Sequence, residues 1–301
     1  ILYGIYTALT VLEAVILTIE GQPVFDAVTN AMSTAGTGGF SVRDAGIAAY
    51  GNPAVEWTIA IFMMLFGINF NLYYLILFGR IKQVLASEEL KVYLAIIGVT
   101  TLTIGVNVAN YYVNFGEAVR KAFFQVTSVI STTGFSNVEF MNWPQLSRAV
   151  ILVLLFTGAC AGSTAGGIKI SRIIIMAKVV YRSIHQLAHP HEVSCIKFEG
   201  KIVDRETRSF VCTYMTTFFV ILFLSTFTIM FQGHDFETSF SAILSCFNNV
   251  GPALGLVGHS GNYNIFNSGI KLFMSLIMLI GRLEIFPMLI LFMPSTWEKH
   301  S

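Results

Sequence analysis

Charged side chains are scarce in this sequence. Asp, Glu, Lys and Arg together make up 12% of its 301 residues, about half of their share in an average soluble protein. This scarcity excludes an ordinary soluble domain. A formal net charge of +1 excludes the strongly basic surface of a nucleic-acid-binding protein. Four cysteines are too few to hold a chain of this length together by disulfides.

Hydrophobic residues are abundant instead. They make up 54% of the chain, with a mean hydropathy of +0.70, and they include 26 Phe and 11 Tyr, a content that excludes disorder. A helix needs about 20 apolar residues to cross the hydrocarbon core of a bilayer. The sequence therefore predicts an all-α polytopic membrane protein. Its six spanning helices are expected near residues 1–20, 56–80, 90–112, 146–182, 207–232 and 269–293.

Basic residues are distributed unequally between the two sides of these spans. Residues 80–91, 169–208 and the C-terminus carry twelve Lys and Arg, whereas the opposite segments 20–56, 112–148 and 233–268 carry four. Short loops rich in Lys and Arg stay on the cytoplasmic side. We therefore expect 80–91, 169–208 and the C-terminus to be cytoplasmic. The chain begins with Ile rather than Met, already inside a span, and we expect it to lack an N-terminal part.

An internal repeat lies between the spans. Residues 25–41 align with residues 120–136 without a gap, and a third, weaker copy places 248–252 after the helix-like segment 236–247. Each copy predicts a helix of about 12 residues, too short to cross, followed by an extended piece. Non-helical backbone at membrane depth is tolerated only where protein or water satisfies it. Three copies therefore predict a shared aqueous path. The glycines that anchor the three copies are Gly39, Gly134 and Gly251.

The chemistry of such a path favours a monovalent cation. Short helices that enter from the outer face direct the negative ends of their dipoles inward. Glycine-rich backbone can direct successive carbonyl oxygens toward one axis, and rings of carbonyls replace the hydration shell of an ion. The sequence near the three copies has no ring of Asp or Glu that would suit a divalent ion. The alternative is that these are tight turns of a transporter or membrane enzyme.

The fourth predicted span is interrupted by glycine. Residues 158–167 contain four glycines in ten positions, and each glycine destabilises a helix by about 1 kcal/mol. We expect a broken helix whose middle hangs into the pore as a loop, oriented by Lys169. Close helix packing through small residues is the alternative.

Arg282 lies in the middle of the last span, where we expect it to project into the pore near this loop, either repelling cations or binding the loop carbonyls. A structural ion pair with another helix is the alternative for Arg282, and Glu284 is badly placed on the helix to be its partner.

These motifs resemble the Trk/Ktr/HKT superfamily of potassium transporters. The resemblance rests on the Phe-Ser pairs after Gly39 and Gly134, on Asn248–Pro252, and above all on Gly158–Lys169, whose Cys-Ala-Gly-Ser-Thr run is most similar to bacterial TrkH membrane subunits. It covers essentially the whole chain. It implies four span–re-entrant pore helix–span units, pseudo-fourfold around one ion pore and usually in a homodimer. Three units are present here, similar to the family's second, third and fourth, at residues 1–82, 83–200 and 201–301.

The resemblance also implies a function, which is potassium uptake across the bacterial cytoplasmic membrane by channel-like permeation. Potassium is then the transported ion, no organic cofactor is implied, and the partners are membrane lipid, a second copy and a cytosolic nucleotide-binding subunit similar to TrkA. The third copy departs from the first two at Asn249, Val250 and Pro252. The ion-binding backbone implied by the resemblance is that of Thr37, Gly38, Gly39, Thr132, Thr133, Gly134, Asn249, Val250 and Gly251. The implied gate consists of Gly158, Cys160, Gly162, Ser163, Thr164, Gly166, Gly167, Lys169 and Arg282.

Two other functions compete with this interpretation. A secondary transporter of a small solute would also use broken helices at the membrane midplane. A membrane enzyme is not supported, because the sequence contains no HExxH motif and no paired-carboxylate site. The most polar stretch, 183–206, is the expected docking surface for a soluble partner, or else simply a basic connector.

Overall fold

The computed structural model describes residues 1–189, 192, 195–258, 261–291 and 293. Within them the regular structure is helical apart from one short hairpin, in which β1 (Lys197–Phe198) pairs antiparallel with β2 (Lys201–Ile202). The α-helices, in chain order, are α1 (Leu2–Ile19), α2 (Val24–Ala35), α3 (Pro53–Phe66), α4 (Phe70–Leu77), α5 (Ile81–Ala86), α6 (Glu88–Asn107), α7 (Phe115–Ile130), α8 (Gln145–Phe156), α9 (Ile170–Ala188), α10 (Arg205–Met230), α11 (Phe236–Asn248), α12 (Ser268–Arg282) and α13 (Ile285–Leu291).

Short polar side chains begin the long helices. Ser87, Asp204 and Asn267 each accept a hydrogen bond from the N–H three residues on, at the first turn of α6, α10 and α12. A side chain in this position satisfies one of the N–H groups that the first helical turn leaves unpaired. These polar residues between the apolar runs thus mark where α6, α10 and α12 begin.

The helices follow one order three times. A long helix (α1, α6 or α10) packs against a short one (α2, α7 or α11), and a broken helix follows (α3/α4, α8/α9 or α12/α13). The short helices contain 12, 16 and 13 residues, so α7 is longer than the twelve expected. Since α7 begins at Phe115, its extra residues extend it at the end away from Gly134. The fold is the expected all-α arrangement of spans and re-entrant helices.

Two of the predicted spans, near 56–80 and 269–293, are not single helices as expected, because each is broken into two helices. The axes of α3 and α4 differ by 91°, and those of α12 and α13 differ by 118°. Asn69 begins α4 by accepting the N–H of Asn71, 2.9 Å away. Glu284 has a positive φ of 69°, which a helix does not allow. Among the described helices α1, α6 and α10 are long and apolar enough to cross unbroken, and the two bent pairs raise the number of spans to as many as five.

Ion pairs and hydrogen bonds mark the two ends of the helix assembly. At one end the Glu56 carboxylate accepts from Arg120 Nε at 2.8 Å, which joins α3 to α7. At the other end Ser87 donates to Glu199 Oε1 at 2.8 Å, so the β1–β2 hairpin covers the start of α6. The basic segments 80–91 and 169–208 therefore meet at the same end. The C-terminal residues 294–301, which the basic-residue count also assigns to this side, lie outside the described residues.

Candidate functional site

Each short helix ends in the same backbone conformation. The residues with positive φ just after the helices are Thr37, Thr132 and Asn249, at 52°, 57° and 58°. In each copy a glycine two residues later is also positive. These glycines are Gly39, Gly134 and Gly251, with φ of 68°, 83° and 102°. The sequence alignment of the three copies therefore corresponds to a repeated backbone path.

In each copy the main-chain carbonyl of one serine accepts a hydrogen bond from the segment that follows the short helix. The carbonyl of Ser33 accepts from Gly38 N at 2.8 Å, and the aligned Ser128 accepts from Thr133 N at 3.0 Å. In the third copy Ser245 accepts from Val250 N at 2.9 Å. A hydrogen bond from a carbonyl to the N–H five residues later, enclosing a left-handed residue, is the Schellman motif that ends many helices. The segments 37–39, 132–134 and 249–251 are therefore continuations of the helix ends.

The side chains of the same serines reach the residue after each glycine. Phe40 N donates to Ser33 Oγ at 2.7 Å, Ser128 Oγ donates to the Phe135 carbonyl at 2.5 Å, and Ser245 Oγ donates to the Pro252 carbonyl at 2.9 Å. Sequence analysis missed this role. The signal was present, because a serine occupies the same aligned place in all three copies.

The three segments lie side by side at their glycines. A Cβ added at Gly39 would overlap the carbonyl of Thr133, and one added at Gly134 would overlap the carbonyl of Val250. At Gly251, by contrast, no described atom lies within 4 Å of an added Cβ. Consecutive copies thus approach one another backbone to backbone, and the third copy has one open edge.

Two of the left-handed residues are strained. Threonine is β-branched, and outside glycine, Asn and Asp the left-handed conformation is disfavoured by about 1–2 kcal/mol per residue. Thr37 and Thr132 hold it nonetheless, while the third copy uses Asn249, which tolerates it. Strain of this kind persists where the surrounding structure enforces it and is concentrated at functional sites.

The glycine-rich stretch 158–167 forms a loop between α8 and α9, where the interruption was expected. Its two ends meet, because Thr157 and Ile168 form an isolated parallel bridge and Gly158 N donates to the Ile168 carbonyl at 2.7 Å. Gly162 and Gly167 have positive φ of 70° and 68°. Across the loop Ser163 Oγ donates to the Cys160 carbonyl at 2.6 Å, and Lys169 Nζ donates to the Ala165 carbonyl.

The loop touches all three copies. Thr37 Oγ1 donates to the Thr164 carbonyl at 3.2 Å, and Gly166 N donates to Thr132 Oγ1 at 2.7 Å. A Cβ added at Gly166 would lie 2.6 Å from the carbonyl of Asn248, at the end of α11. The loop thus lies against the end of each segment where the short helix finishes.

Arg282 bridges the loop and the first copy. One guanidinium nitrogen donates to the Thr164 carbonyl at 3.1 Å and to Thr37 Oγ1 at 3.3 Å, and the other donates to the Gly36 carbonyl at 3.3 Å. Of the two roles considered for Arg282, these contacts match the binding of loop carbonyls. The ion pair with another helix belongs to Glu284 instead, whose carboxylate lies 3.0 Å from Arg172.

The other side of the loop is held by two elements that sequence analysis did not single out. At the break between α3 and α4, Cys160 N donates to the Gly67 carbonyl at 3.0 Å, and the Gly162 carbonyl accepts from Phe70 N at 3.2 Å. Nearby, the N–H of Ala161 in the loop donates to a carboxylate.

That acceptor is Glu89, which is buried near the start of α6 with 5% of its surface exposed. Its Oε1 accepts from Ala161 N at 2.7 Å and from Ser171 N at 3.0 Å. A carboxylate that receives backbone N–H groups in a low-dielectric setting forms strong, charge-assisted hydrogen bonds. In the sequence, the only indication of this role was the position of an acidic residue at the start of an apolar span.

Comparisons with known proteins agree with this geometry. A family model described as TrkH, a cation transport protein, matches residues 1–299. The Trk system potassium uptake protein TrkH of Salmonella typhimurium is 33% identical over 99% of this chain, and the alignment covers 62% of that relative. The Trk system potassium uptake protein TrkG of Escherichia coli is also 33% identical, over 98% of this chain and 61% of its own length.

A solved structure shows the same fold. The crystal structure of the potassium transporter TrkH from Vibrio parahaemolyticus matches with a TM-score of 0.91 and 29% sequence identity, over 99% of this chain and 64% of that one. The chain thus spans about three-fifths of the length of these relatives. Because the family model matches nearly every residue and the solved structure has the same fold, this chain is a multi-pass membrane protein that belongs to the TrkH family of cation transport proteins and is not an enzyme.

Proposed function

We propose that this chain forms the greater part of a potassium-uptake pore with a backbone-carbonyl filter. The observation that carries the proposal is the threefold repetition of one backbone path, at 37–39, 132–134 and 249–251, with consecutive copies in direct contact at their glycines. The relatives TrkH and TrkG are potassium uptake proteins, which supports the choice of ion.

A filter of this kind works by replacing water. Moving a bare ion into a low-dielectric interior costs tens of kcal/mol, so an ion enters only where oxygens take over its hydration shell. The carbonyl ends of α2, α7 and α11 all lie at the filter segments, where their dipoles favour a cation. The candidate ion-binding residues are the backbones of Thr37, Gly38, Gly39, Thr132, Thr133, Gly134, Asn249, Val250 and Gly251.

The loop acts as the gate in this proposal. Its hydrogen bonds to Thr37 and Thr132 hold it across the inner ends of the filter, and Arg282 fastens it there. An ion leaving the filter would meet this loop and the Arg282 charge, so permeation requires the loop to move. The gate residues are Gly158, Cys160, Gly162, Ser163, Thr164, Gly166, Gly167, Lys169 and Arg282.

The proposal extends to the assembly. We divide the chain into repeats at 1–82, 83–200 and 201–301, and a further segment at the open edge beside Gly251 would complete the ring. With 80–91 and 169–208 facing the cytoplasm of a bacterial cell, the stretch 183–206 offers a docking surface for a nucleotide-binding regulatory partner. A second copy of the protein and membrane lipid cover the remaining apolar faces.

A secondary transporter of a small solute is the second candidate. The specific observation in its favour is that a helix is broken in each of the three repeats, since transporters build midplane sites from discontinuous helices. This alternative predicts a saturable organic substrate rather than discrimination among alkali ions.

Flux through the full-length protein in liposomes separates the two candidates. Potassium and rubidium influx is measured with sodium in excess as competitor. We expect potassium flux that resists sodium. Absence of alkali-ion flux combined with uptake of an organic solute would contradict the filter and favour the transporter.

A deletion tests the gate separately. Removing residues 160–166 from the full-length protein is expected to raise potassium flux, because it removes the loop contacts to both threonines. Unchanged flux in a correctly inserted deletion variant would overturn the gating role while leaving the filter intact.

A further inference from the structure

The three left-handed residues at the helix ends differ in what their side chains touch. Thr37 and Thr132 both place Oγ1 against the loop, the first donating to the Thr164 carbonyl and the second accepting from Gly166 N. Asn249 donates instead to the Met278 carbonyl in α12, at 3.2 Å. The two positions that carry a strained threonine are therefore the two whose side chains contact the loop.

The helix ending itself does not require threonine. Its bonds are made by the main chain, from Thr37 N to the Thr34 carbonyl at 3.1 Å and from Thr132 N to the Val129 carbonyl at 3.0 Å. Glycine or Asn adopts the left-handed conformation without the strain of a β-branched side chain. What threonine adds at these two positions is a hydroxyl directed at the loop.

At the first position this hydroxyl is part of a chain of hydrogen bonds. Arg282 donates to Thr37 Oγ1 at 3.3 Å. Thr37 Oγ1 in turn lies within hydrogen-bond distance of two carbonyls, that of Gly36 at 2.7 Å and that of Thr164 in the loop at 3.2 Å. Linked hydrogen bonds polarise and strengthen one another in a low-dielectric interior. Movement of the loop therefore changes the surroundings of a filter residue directly.

We propose that Thr37 and Thr132 are positioning residues that couple the filter to the loop through their hydroxyls. The inference rests on the proposed function, and it adds that gate and filter are one mechanical unit. In the closed state the loop binds both threonine hydroxyls, while the main-chain bonds to Ser33 and Ser128 keep the helix endings in place. When the loop withdraws, the first two segments lose these hydroxyl contacts, whereas the third segment keeps its bond to α12.

A pair of substitutions in two backgrounds tests this coupling. Thr132→Val and Thr37→Val retain the β-branched shape, and hence the backbone strain, but remove the hydroxyl. In the full-length protein we expect Thr132→Val to raise the open probability roughly fivefold, in keeping with the loss of its one hydrogen bond to the loop. Thr37→Val should raise it at least as much, because this hydroxyl also contacts the Gly36 carbonyl and accepts from Arg282. Thr132→Ser, which keeps the hydroxyl, should restore the wild-type value.

In the background lacking residues 160–166, Thr132→Val should change the open probability by less than about twofold, because its partner Gly166 is absent. Thr37→Val should keep part of its effect there, because Gly36 and Arg282 remain. The matched control is Thr127→Val in the same helix, where the buried hydroxyl donates to the Phe123 and Phe124 carbonyls of α7 itself. It should leave the open probability unchanged in both backgrounds.

The coupling is wrong if Thr132→Val has the same effect with and without the loop, because the hydroxyl would then support the filter alone. It is equally wrong if the open probability of the full-length protein does not respond. Both results are distinct from failure of the proposed function, in which the wild-type protein would carry no potassium.

Discussion

The three proposed filter segments and the 158–167 loop both contain glycines with positive φ, yet they are held in opposite ways. Each filter segment is fixed by a serine five and seven residues earlier in its own helix. The loop is fixed by partners far away in the chain, since Glu89 lies 72 residues from its bonded N–H at Ala161 and Arg282 lies 118 residues from Thr164.

This difference indicates that the loop, rather than the three segments, is the part that is able to move. A segment tied to its own helix keeps its geometry as long as that helix exists. A loop tied through several distant side chains can be released by small displacements of the helices that carry them. Local bonding thus suits a filter, and distributed bonding suits a gate. The following predictions test the two halves of this comparison, beginning with the largest expected effect.

Gly134→Ala should abolish the filter. The added Cβ would overlap the carbonyl of Val250 in the neighbouring copy, and the φ of 83° is unfavourable for alanine. We expect potassium flux into liposomes to fall by roughly 100-fold or more, as the overlap displaces a carbonyl of the filter itself.

Gly200→Ala is the matched control for this change. Gly200 has a similar φ of 75° in the β1–β2 hairpin, but no described atom lies within 4 Å of its added Cβ. Potassium flux should persist in this variant. Equal loss in both variants would mean that backbone strain, rather than contact between copies, is responsible.

Arg282→Ala should release the loop from the first filter copy. It removes three hydrogen bonds from a charged group, to the Gly36 and Thr164 carbonyls and to Thr37 Oγ1. A hydrogen bond to a charged group contributes about 1.5–3 kcal/mol, so single-channel recordings should show an open probability about 10- to 100-fold higher. Arg282→Lys keeps the charge but loses the forked geometry, and we expect an intermediate value. A wild-type recording from Arg282→Ala would contradict this role.

Glu89→Gln should loosen the loop from its other side. The substitution retains the size of the side chain but replaces two charge-assisted bonds, from Ala161 N and Ser171 N, by neutral ones. Charge-assisted bonds are roughly twice as strong as neutral ones, so open probability should rise about tenfold. Glu88→Gln is the control, because Glu88 forms a more exposed pair with Lys178, and such pairs contribute little. Equal effects of the two substitutions would remove Glu89 from the gate.

Ser128→Ala should alter selectivity without opening the gate. It leaves the buried Phe135 carbonyl without its side-chain donor, at a cost of about 1–3 kcal/mol, and the second filter segment loses its outer restraint. We expect the potassium-over-sodium permeability ratio to fall about fivefold while the open probability is unchanged. Ser147→Ala, which removes a partly buried bond to Asn107 between α8 and α6, should leave the ratio as it was. A changed open probability in Ser128→Ala would mean that the filter is not locally held.

Much of this organisation was predictable from the sequence. The gap-free alignment of 25–41 with 120–136 and the helix-like run 236–247 correspond to α2, α7 and α11. The glycines of 158–167 predicted the loop, because four glycines in ten residues destabilise any helix. These features were accessible because each depends on residues close together in the chain.

Other features were not accessible for the same reason. The bends after Phe66 and Arg282 lie in apolar runs that could have continued as helices. Their breaks are stabilised by distant groups, since the loop N–H of Cys160 bonds the Gly67 carbonyl and Arg172 pairs with Glu284. Glu89 gives no sequence pattern of its own, because its two partners lie 72 and 82 residues away.

The sequence by itself determined the spans, the repeat and the positions where helices end, because hydrophobic runs, serines and glycines act over a few residues. The tertiary structure alone decided which carbonyl meets which glycine and which side chains hold the loop. Gly134 lies against Val250, and Thr132 lies against Gly166, only after separate helices pack together. Such contacts depend on the packing of whole helices, which no short stretch of residues encodes.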